Sequence, residues 1–250
     1  MATWAARHKD SAMVSEPQNL LEVQDIHTFI GQYHILQGVS VEVPRGSITA
    51  ILGRNGAGKS TTLKTILGLT PPNRGRITFN GQEIQGWRSY DIAKLGIGFV
   101  PENRAIFRDL SVLENLEIAE RKNGDLARKQ DLIFELFPDL KRLIHLSGNH
   151  LSGGQQQMLA IARALVADNL LLLIDEPSEG LAPVIIENLM DAIRQLSAET
   201  TVVLVEQNFL VARQLAEYYV IIEEGRSVKH GDMLDLIEDQ ESIHHYLGAA

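Results

Sequence analysis

The sequence predicts an α/β fold with a small antiparallel β subdomain beside its central sheet and an inserted α-helical subdomain. Three apolar runs, 48–52, 170–174 and 201–205, each lead into a helical pattern, as buried parallel strands of α/β proteins do. A short strand at 76–79 lies between turn residues, which favours antiparallel pairing outside that sheet. Residues 110–146 carry helical spacing without strand signals, so they supply the helical insert.

Length and composition indicate one globular domain. The chain has 250 residues, 44% of them hydrophobic, and no cysteine, so it can bury an ordinary core without disulfides or thiolate metal sites. We expect residues 1–19 to form a flexible tail and residues 20–250 to form one domain, with the helical insert at about 103–165. The net charge of -9 disfavours a nucleic-acid partner. No apolar run approaches the ~20 residues needed to cross a bilayer, so membrane association would come through a partner.

The first half of the chain shows its strands and helices through simple periodicity. Val39, Val41 and Val43 alternate with polar residues, which predicts a half-buried strand. Apolar residues at helical spacing over 61–69 predict a helix, and 96–100 is typical of another strand.

In the second half, turn and capping residues mark the boundaries. Ser111 and Glu114 form a plausible capping box at the start of the insert, and Pro138 interrupts its helices. A further helix is predicted over 156–167. A final strand pair is predicted around the turn at 224–225, followed by two short helices.

The strand at 48–52 runs directly into a glycine-rich loop that opens the next helix. This phosphate loop consists of Gly53, Arg54, Asn55, Gly56, Ala57, Gly58, Lys59 and Ser60, with Thr61 following in the helix. Glycines let backbone N–H groups close around phosphate oxygens, and the helix N-terminus adds positive potential. Lys59 would reach the β- and γ-phosphates, and Ser60 would offer its hydroxyl to Mg²⁺. The sequence therefore predicts a phosphate-binding site with a place for Mg²⁺; the resemblance described below implies that the nucleotide is ATP.

Two carboxylates, Asp175 and Glu176, follow the apolar run at 170–174. The carboxyl ends of parallel strands are where ligands of open α/β sheets bind. We expect Asp175 to hold Mg²⁺ through water, and Glu176 to orient and polarise the water that attacks the γ-phosphate. Taken alone, the pair would be an ordinary solvated strand end; beside a phosphate loop, the catalytic interpretation prevails.

Residues 151–155, Leu-Ser-Gly-Gly-Gln, precede a helical pattern and by themselves predict an anion-binding helix N-terminus. This segment closely resembles the signature of ABC ATPases, and the resemblance covers about 20–248 in the family's order of motifs. It implies a P-loop NTPase fold with a RecA-like core. It also implies a head-to-tail pair of cassettes in which Ser152, Gly153, Gly154 and Gln155 contact the γ-phosphate of ATP held by the opposite subunit.

The chain departs from the family pattern at several positions. Glu102 follows Val100-Pro101 where the family has a glutamine near Mg²⁺ and the γ-phosphate, and Gln207 stands at the switch position, where most members have histidine. Glutamine can donate a hydrogen bond to phosphate but cannot carry a proton. Ala182 replaces the aspartate that usually ends the family's D-loop, which here starts at Pro177. The aromatic residue that stacks on adenine maps nearest to Ile30, with Phe29 and Tyr33 beside it, so the base contact stays open.

Together, the segments Val-Pro-Glu, Glu-Gly-Leu-Ala-Pro and Val-Glu-Gln-Asn resemble the ATPases of importers for branched-chain amino acids, urea and short amides. The resemblance implies a second ABC ATPase subunit, two transmembrane permease subunits, an extracytoplasmic solute-binding protein, and a peripheral position on the cytoplasmic face of the cell membrane. Because such importers pair two different ATPases, we expect a heterodimer in which the site with Glu102 and Gln207 is the slower one. Residues 103–110 and the helical insert lie where the family docks a short permease helix.

Two other classes of function stay open at this point. A soluble ABC protein that acts on ribosomes or DNA usually has two cassettes in one chain or a long coiled-coil insertion, and this sequence has neither. A regulatory subunit that binds nucleotide without useful turnover is compatible with Glu102 and Gln207, but Glu176 argues against it.

Overall fold

The computed structural model describes residues 19–248, and the rest of the predicted tail, 1–18, lies outside the described residues. The strands are β1 (Asn19–Ile30), β2 (Tyr33–Pro44), β3 (Ile48–Leu52), β4 (Arg74–Phe79), β5 (Gln82–Glu83), β6 (Ile97–Val100), β7 (Leu171–Asp175), β8 (Thr201–Glu206), β9 (Tyr218–Glu223) and β10 (Arg226–Asp232). The helices are α1 (Lys59–Ile66), α2 (Ser89–Lys94), α3 (Val112–Glu117), α4 (Asp125–Leu136), α5 (Pro138–Arg142), α6 (Gly153–Val166), α7 (Pro183–Leu196), α8 (Phe209–Leu215), α9 (Met233–Glu238) and α10 (Gln240–Ser242).

The central sheet has the order β10-β9-β3-β8-β7-β6. Its strands from β9 to β6 are parallel, and β10 pairs antiparallel with β9 across the predicted turn. Every residue of β3, β7 and β8 is buried, because helices cover one face of the sheet and α1 packs with the antiparallel strands on the other. This burial confirms the interpretation of the apolar runs as parallel strands. The prediction started β7 one residue early: Leu170 precedes the strand and is 44% exposed.

The second sheet is antiparallel, in the order β2-β1-β4-β5. Val39, Val41 and Val43 are buried in β2 as their alternation predicted, because one face of this sheet packs on the core. Asn19 was assigned to the tail, and that assignment was wrong. It is the first residue of β1 and pairs with Pro44, so the ladder reaches one residue further than the apolar pattern shows.

Helices α3 to α6 form the predicted insert between β6 and β7. Ser111 and Glu114 make the expected capping box, and Pro138 is the first residue of α5, where its missing N–H is harmless. The prediction for α6 was three residues late, because the helix starts at Gly153. Ser152 caps it in a second capping box, so the glycines stay helical despite their low propensity.

The core lies on both faces of the central sheet. On β3, Ala50 and Leu52 face one apolar cluster while Ile51 faces the other. The first cluster also contains Leu116 and Leu159 of the insert, so the insert and the central sheet share one core. That residues 20–250 form a single domain stays a prediction. Within residues 19–248, no helix combines the length and the apolar character needed to cross a bilayer.

Candidate functional site

Four strands of the central sheet bring their carboxyl ends to one edge, which we call the carboxyl edge. The phosphate loop follows β3, Gln207 follows β8, Asp175 and Glu176 lie at the end of β7, and Glu102 follows β6. Parallel pairing sets this alignment, with Leu52 opposite Glu206 and Asp175 opposite Val205. Most of the predicted nucleotide site therefore gathers along one line of the sheet.

The phosphate loop requires glycine at two of its turns. Gly53 has φ +150°, and a Cβ there would lie 2.2 Å from the carbonyl oxygen of Ile222. Gly58 precedes α1 with φ +111°, and a Cβ there would lie 2.9 Å from Leu36 Cδ2. Only glycine fits these positions without displacing neighbouring atoms, so the loop can wrap closely around the start of α1 as a phosphate cradle does.

Lys59 is the buried cation of the site, with 4% of its surface exposed. Its Nζ donates to the carbonyl oxygens of Gly53 at 3.0 Å and Arg54 at 3.2 Å, and it lies 3.0 Å from Glu176 Oε1. The ammonium group thus hydrogen-bonds to two carbonyls of the phosphate loop and also contacts the predicted catalytic carboxylate. A compact cation held among loop carbonyls is positioned to meet phosphate oxygens.

Ser60 and Asp175 form the candidate magnesium pair. The Ser60 hydroxyl donates to Asp175 Oδ1 at 3.0 Å. Burial raises the pKa of Asp175 to about 6, with further raising by the charges of Glu176 and Glu102, while the Ser60 hydrogen bond lowers it. One hydroxyl and one carboxylate are hard oxygen ligands that fit Mg²⁺, which usually keeps several waters.

Three other predicted site residues, Glu176, Glu102 and Gln207, lie around this pair and differ in their exposure and backbone contacts. Glu176 has φ +44°, an uncommon conformation for a residue other than glycine, and its N–H donates to the Val205 carbonyl at 2.9 Å. Glu102 is exposed, yet it lies near enough to Asp175 to raise the pKa of that carboxyl. Gln207 is also exposed and borders a cavity of about 350 Å³ with Glu176 and Ser178.

The predicted signature lies on the helical insert instead. Ser152 accepts a hydrogen bond from the backbone of Gln155 and donates its own N–H to that side chain. Gly153 is exposed, whereas a Cβ on Gly154 would lie 2.8 Å from Ile185 of α7. Among residues 19–248, no hydrogen bond joins this segment to the phosphate loop.

The two remaining departures from the family pattern, like Glu102 and Gln207, are exposed in the structure. Ala182 is exposed immediately before α7. Phe29, Ile30 and Tyr33 are 42%, 47% and 66% exposed at the β1–β2 turn, and the Phe29 ring stacks on His34 at 4.2 Å. All three side chains are accessible to a base, so the adenine contact stays open.

Sequence reasoning missed Glu206, which it quoted only as part of the switch segment. Glu206 is 2% exposed at the end of β8, and its two carboxylate oxygens accept hydrogen bonds from the backbone N–H groups of Ser178 and Asn208. Burial raises its pKa to about 7, and the Glu176 charge adds to the rise. A lone carboxylate that ends a fully apolar run was the available signal.

A second missed feature is a groove of about 310 Å³ under the insert, lined by Phe99, Pro101, Arg104, Arg121, Arg163 and Ala164; we call it the arginine groove. Arg104 Nε donates to Gln157 Oε1 at 3.2 Å, Arg121 to the Ile97 carbonyl at 3.0 Å, and Arg163 to the Ala105 carbonyl at 2.6 Å. All three guanidinium groups therefore donate to uncharged acceptors.

Comparison with known proteins places these features in a family. Residues 36–179 match the family model described as ABC transporter. The high-affinity branched-chain amino acid transport ATP-binding protein BraG of Pseudomonas aeruginosa is 41% identical over 232 residues, which cover 92% of this chain and 100% of that protein. The probable branched-chain amino acid transport ATP-binding protein LivF of Archaeoglobus fulgidus is 36% identical over 214 residues, covering 84% of this chain and 91% of that protein. A crystal structure of a nucleotide-free ATP-binding cassette from an ABC transporter matches with a TM-score of 0.81 at 23% identity, covering 93% of this chain and 100% of that chain, which shows the same fold.

Proposed function

The chain belongs to the ABC transporter family as an ATP-binding, ATP-hydrolysing subunit, and from this premise we propose that it powers the import of branched-chain or other hydrophobic amino acids. The observation that carries the proposal is the set of direct contacts at the carboxyl edge, where Lys59 meets Glu176 and Ser60 meets Asp175. Supporting it, the names of both relatives specify branched-chain amino acid transport.

Each residue of the carboxyl edge has a role in this proposal. Backbone N–H groups of the phosphate loop and Lys59 bind the β- and γ-phosphates, and Ser60 and Asp175 hold Mg²⁺, Asp175 through water. When bound, Mg²⁺ neutralises charge that develops on the phosphate oxygens. Glu176 orients and polarises the attacking water. Gln207 donates a hydrogen bond to the γ-phosphate, and Glu102 lies beside the metal.

The signature segment points to a second cassette. Its capped helix N-terminus, with Ser152 and Gly153 exposed, is suited to a phosphate but makes no hydrogen bond to the phosphate loop within residues 19–248. We propose that Ser152, Gly153, Gly154 and Gln155 contact ATP held by the opposite subunit of a head-to-tail pair. The partner ATPase would be a different chain, because importers of this kind pair two different ATPases. This chain's own site would be the slower one, because Glu102 adds negative charge beside Asp175 and Gln207 cannot carry a proton.

The arginine groove supports the assignment of a permease contact to the insert. Desolvation lowers the pKa of the Arg121 and Arg163 guanidinium groups without discharging them, and Arg163 Nε is buried with no partner among the described residues. Asp125 is the carboxylate near Arg121, but Arg128 already binds it at 2.5 Å. We therefore propose that the groove receives a short permease segment that carries a carboxylate.

The proposed assembly has two permease subunits, an extracytoplasmic solute-binding protein, and this chain bound peripherally at the cytoplasmic face of the membrane. Solute recognition would belong to the permease and the binding protein. Urea or a short amide is the alternative solute class, because importers for those solutes share the segments around Glu102, Ala182 and Gln207.

The test is ATP hydrolysis by the purified chain alone and by the complex co-expressed with its membrane partners and second ATPase. We expect hydrolysis that appears with the complex and rises when leucine-loaded binding protein is added. Stimulation by urea instead of leucine would select the alternative solute. ATP binding without hydrolysis in either preparation would replace the motor with a regulatory subunit, and brisk hydrolysis by a homodimer would contradict the slow-site assignment.

A further inference from the structure

Glu206 is the only charged residue of β8, and its side chain is enclosed at the carboxyl edge. The strand is buried throughout, and 2% of Glu206 is exposed. Oε1 accepts the backbone N–H of Ser178 at 3.2 Å, and Oε2 accepts the backbone N–H of Asn208 at 3.2 Å. One carboxylate thus joins two separate segments of the chain.

These two segments are the ones that flank the reacting phosphate in the proposed function. Ser178 lies two residues after Glu176, in the segment that leads to α7. Asn208 lies directly after Gln207, and its Oδ1 caps α8 by accepting the N–H of Leu210 at 3.0 Å. Gln207 therefore lies between Glu206 and Asn208. The Glu206 carboxylate and the helix cap together fix the position of Asn208.

The charges around Glu206 make this arrangement costly. Glu176 faces it and adds repulsion, Glu179 borders the same cavity, and no lysine or arginine within residues 19–248 contacts it. Hydrogen bonds from Ser178 and from the backbone of Asn208 offset the burial of the carboxylate, so both contacts determine where it lies.

We propose that Glu206 is a positioning residue that ties Gln207 to the segment after Glu176, so that a shift of that segment moves Gln207 with it. The inference rests on the proposed roles of Glu176 and Gln207 in hydrolysis. A second contact, from the Glu176 N–H to the Val205 carbonyl, attaches the same segment to β8. The fold around the segment therefore survives loss of the Glu206 bridge, while the coupling to Gln207 does not.

The test is Glu206→Gln, measured in the assembled complex. The amide has the same shape but only one acceptor oxygen, and its NH₂ group faces a backbone N–H, so one of the two bonds is lost. We expect kcat to fall about tenfold, since hydrogen bonds to charged groups have this order of strength. The affinity for ATP stays unchanged, because Glu206 makes no hydrogen bond to the phosphate loop.

The double variant Glu206→Gln, Gln207→Ala separates positioning from a general structural effect. If Glu206 acts through Gln207, the double variant has the kcat of Gln207→Ala alone. Multiplied losses would overturn the inference, as would unchanged kcat in Glu206→Gln.

Glu217→Gln is the matched control, because Glu217 Oε2 also accepts a backbone N–H, that of Ile48, at the opposite end of the sheet. It is expected to leave kcat unchanged, and an equal loss there would also count against the proposal. Should Glu206→Gln not fold, Glu206→Asp keeps the charge with a shorter reach and takes its place. If the Glu176→Gln variant still hydrolysed ATP, the proposed function would be refuted. If Glu176→Gln lost hydrolysis while Glu206→Gln kept its kcat, only this inference would be refuted.

Discussion

The carboxyl edge and the arginine groove lie on either side of the loop after β6 and carry opposite charge. Glu102 lies beside Asp175 at the edge, while Arg104, two residues later, binds Gln157 of the insert. Positive φ values of 64° at Arg104 and 47° at Ala105 accompany this change of side. One short loop thus connects the cluster of carboxylates at the carboxyl edge to the cluster of guanidinium groups in the arginine groove.

Each of the two regions has an excess of one sign of charge and few direct ion pairs among the described residues. At the edge, Lys59 contacts Glu176, but within residues 19–248 no lysine or arginine contacts Asp175, Glu102 or Glu206. In the groove, no described carboxylate contacts a guanidinium group. Since buried or half-buried charge is costly without a partner, each region is suited to a ligand of opposite sign: a cation at the edge and a carboxylate in the groove.

The largest effect is expected from Glu176→Gln in the complex. The amide keeps the shape but cannot accept a proton from water, so we expect hydrolysis to fall by about 10²–10⁴-fold, the usual contribution of a positioned base. ATP binding, followed by a fluorescent analogue, should persist. A variant that retained most of its hydrolysis would remove Glu176 from the mechanism and leave the edge as a binding site only.

The next largest effect is a dependence of the free energy of unfolding on pH, caused by the buried carboxyl groups of the carboxyl edge. The folded pKa of Glu206 is about 7, above its ordinary 4.5, so the folded state holds this proton more tightly than the unfolded state. Its contribution to stability is full below pH 4.5 and is lost as the pH rises through 7, a change of about 3 kcal/mol. The raised pKa of Asp175 likewise makes the folded state less stable as the pH rises from its ordinary pKa of 3.8 to about 6.

Urea unfolding at several pH values between 4.5 and 8 measures this change. Glu206→Gln should flatten the decline, whereas Glu217→Gln should retain it. A decline of equal size in the wild type and Glu206→Gln would mean that the Glu206 carboxyl is not buried in solution.

A smaller effect is expected in the groove from Arg163→Glu. Charge reversal places a carboxylate where we propose another one docks, and close like charges weaken association by about tenfold or more. Recovery of the permease with the tagged chain should fall accordingly, while ATP binding by the isolated chain stays unchanged. Arg142→Glu, in α5 of the same insert but outside the groove, is the control for a general charge effect. Equal losses in both variants would contradict the groove as the contact.

The smallest effects are expected from variants in the two capping boxes of the insert. Ser111→Ala and Ser152→Ala each remove a side-chain cap from a helix start, and each should cost about 1 kcal/mol of stability in urea unfolding. Only Ser152→Ala should also reduce hydrolysis by the complex, because Ser152 is proposed to contact ATP across the dimer. Equal hydrolysis in the two variants would make the signature serine purely structural.

Local patterns predicted much of the fold and of the site. The glycine loop before α1, the acids after β7 and the capping box at Ser111 each follow from a few neighbouring residues. Element boundaries at Asn19, Leu170 and Gly153 were missed, because pairing and capping by particular neighbours decide where an element starts. The signature motif was visible in sequence, whereas the burial of Gly154 against Ile185 of α7 was not.

Sequence by itself determined which elements form and which residues are candidates to bind phosphate and metal, since periodicity and motif chemistry act over a few positions. Tertiary structure decided which of those residues meet. Ser60 and Asp175 are 115 positions apart, yet parallel pairing of β3, β8 and β7 brings them to 3.0 Å. The bridge at Glu206 and the arginine groove arise in the same way, because burial and charge depend on neighbours that only the folded chain assembles.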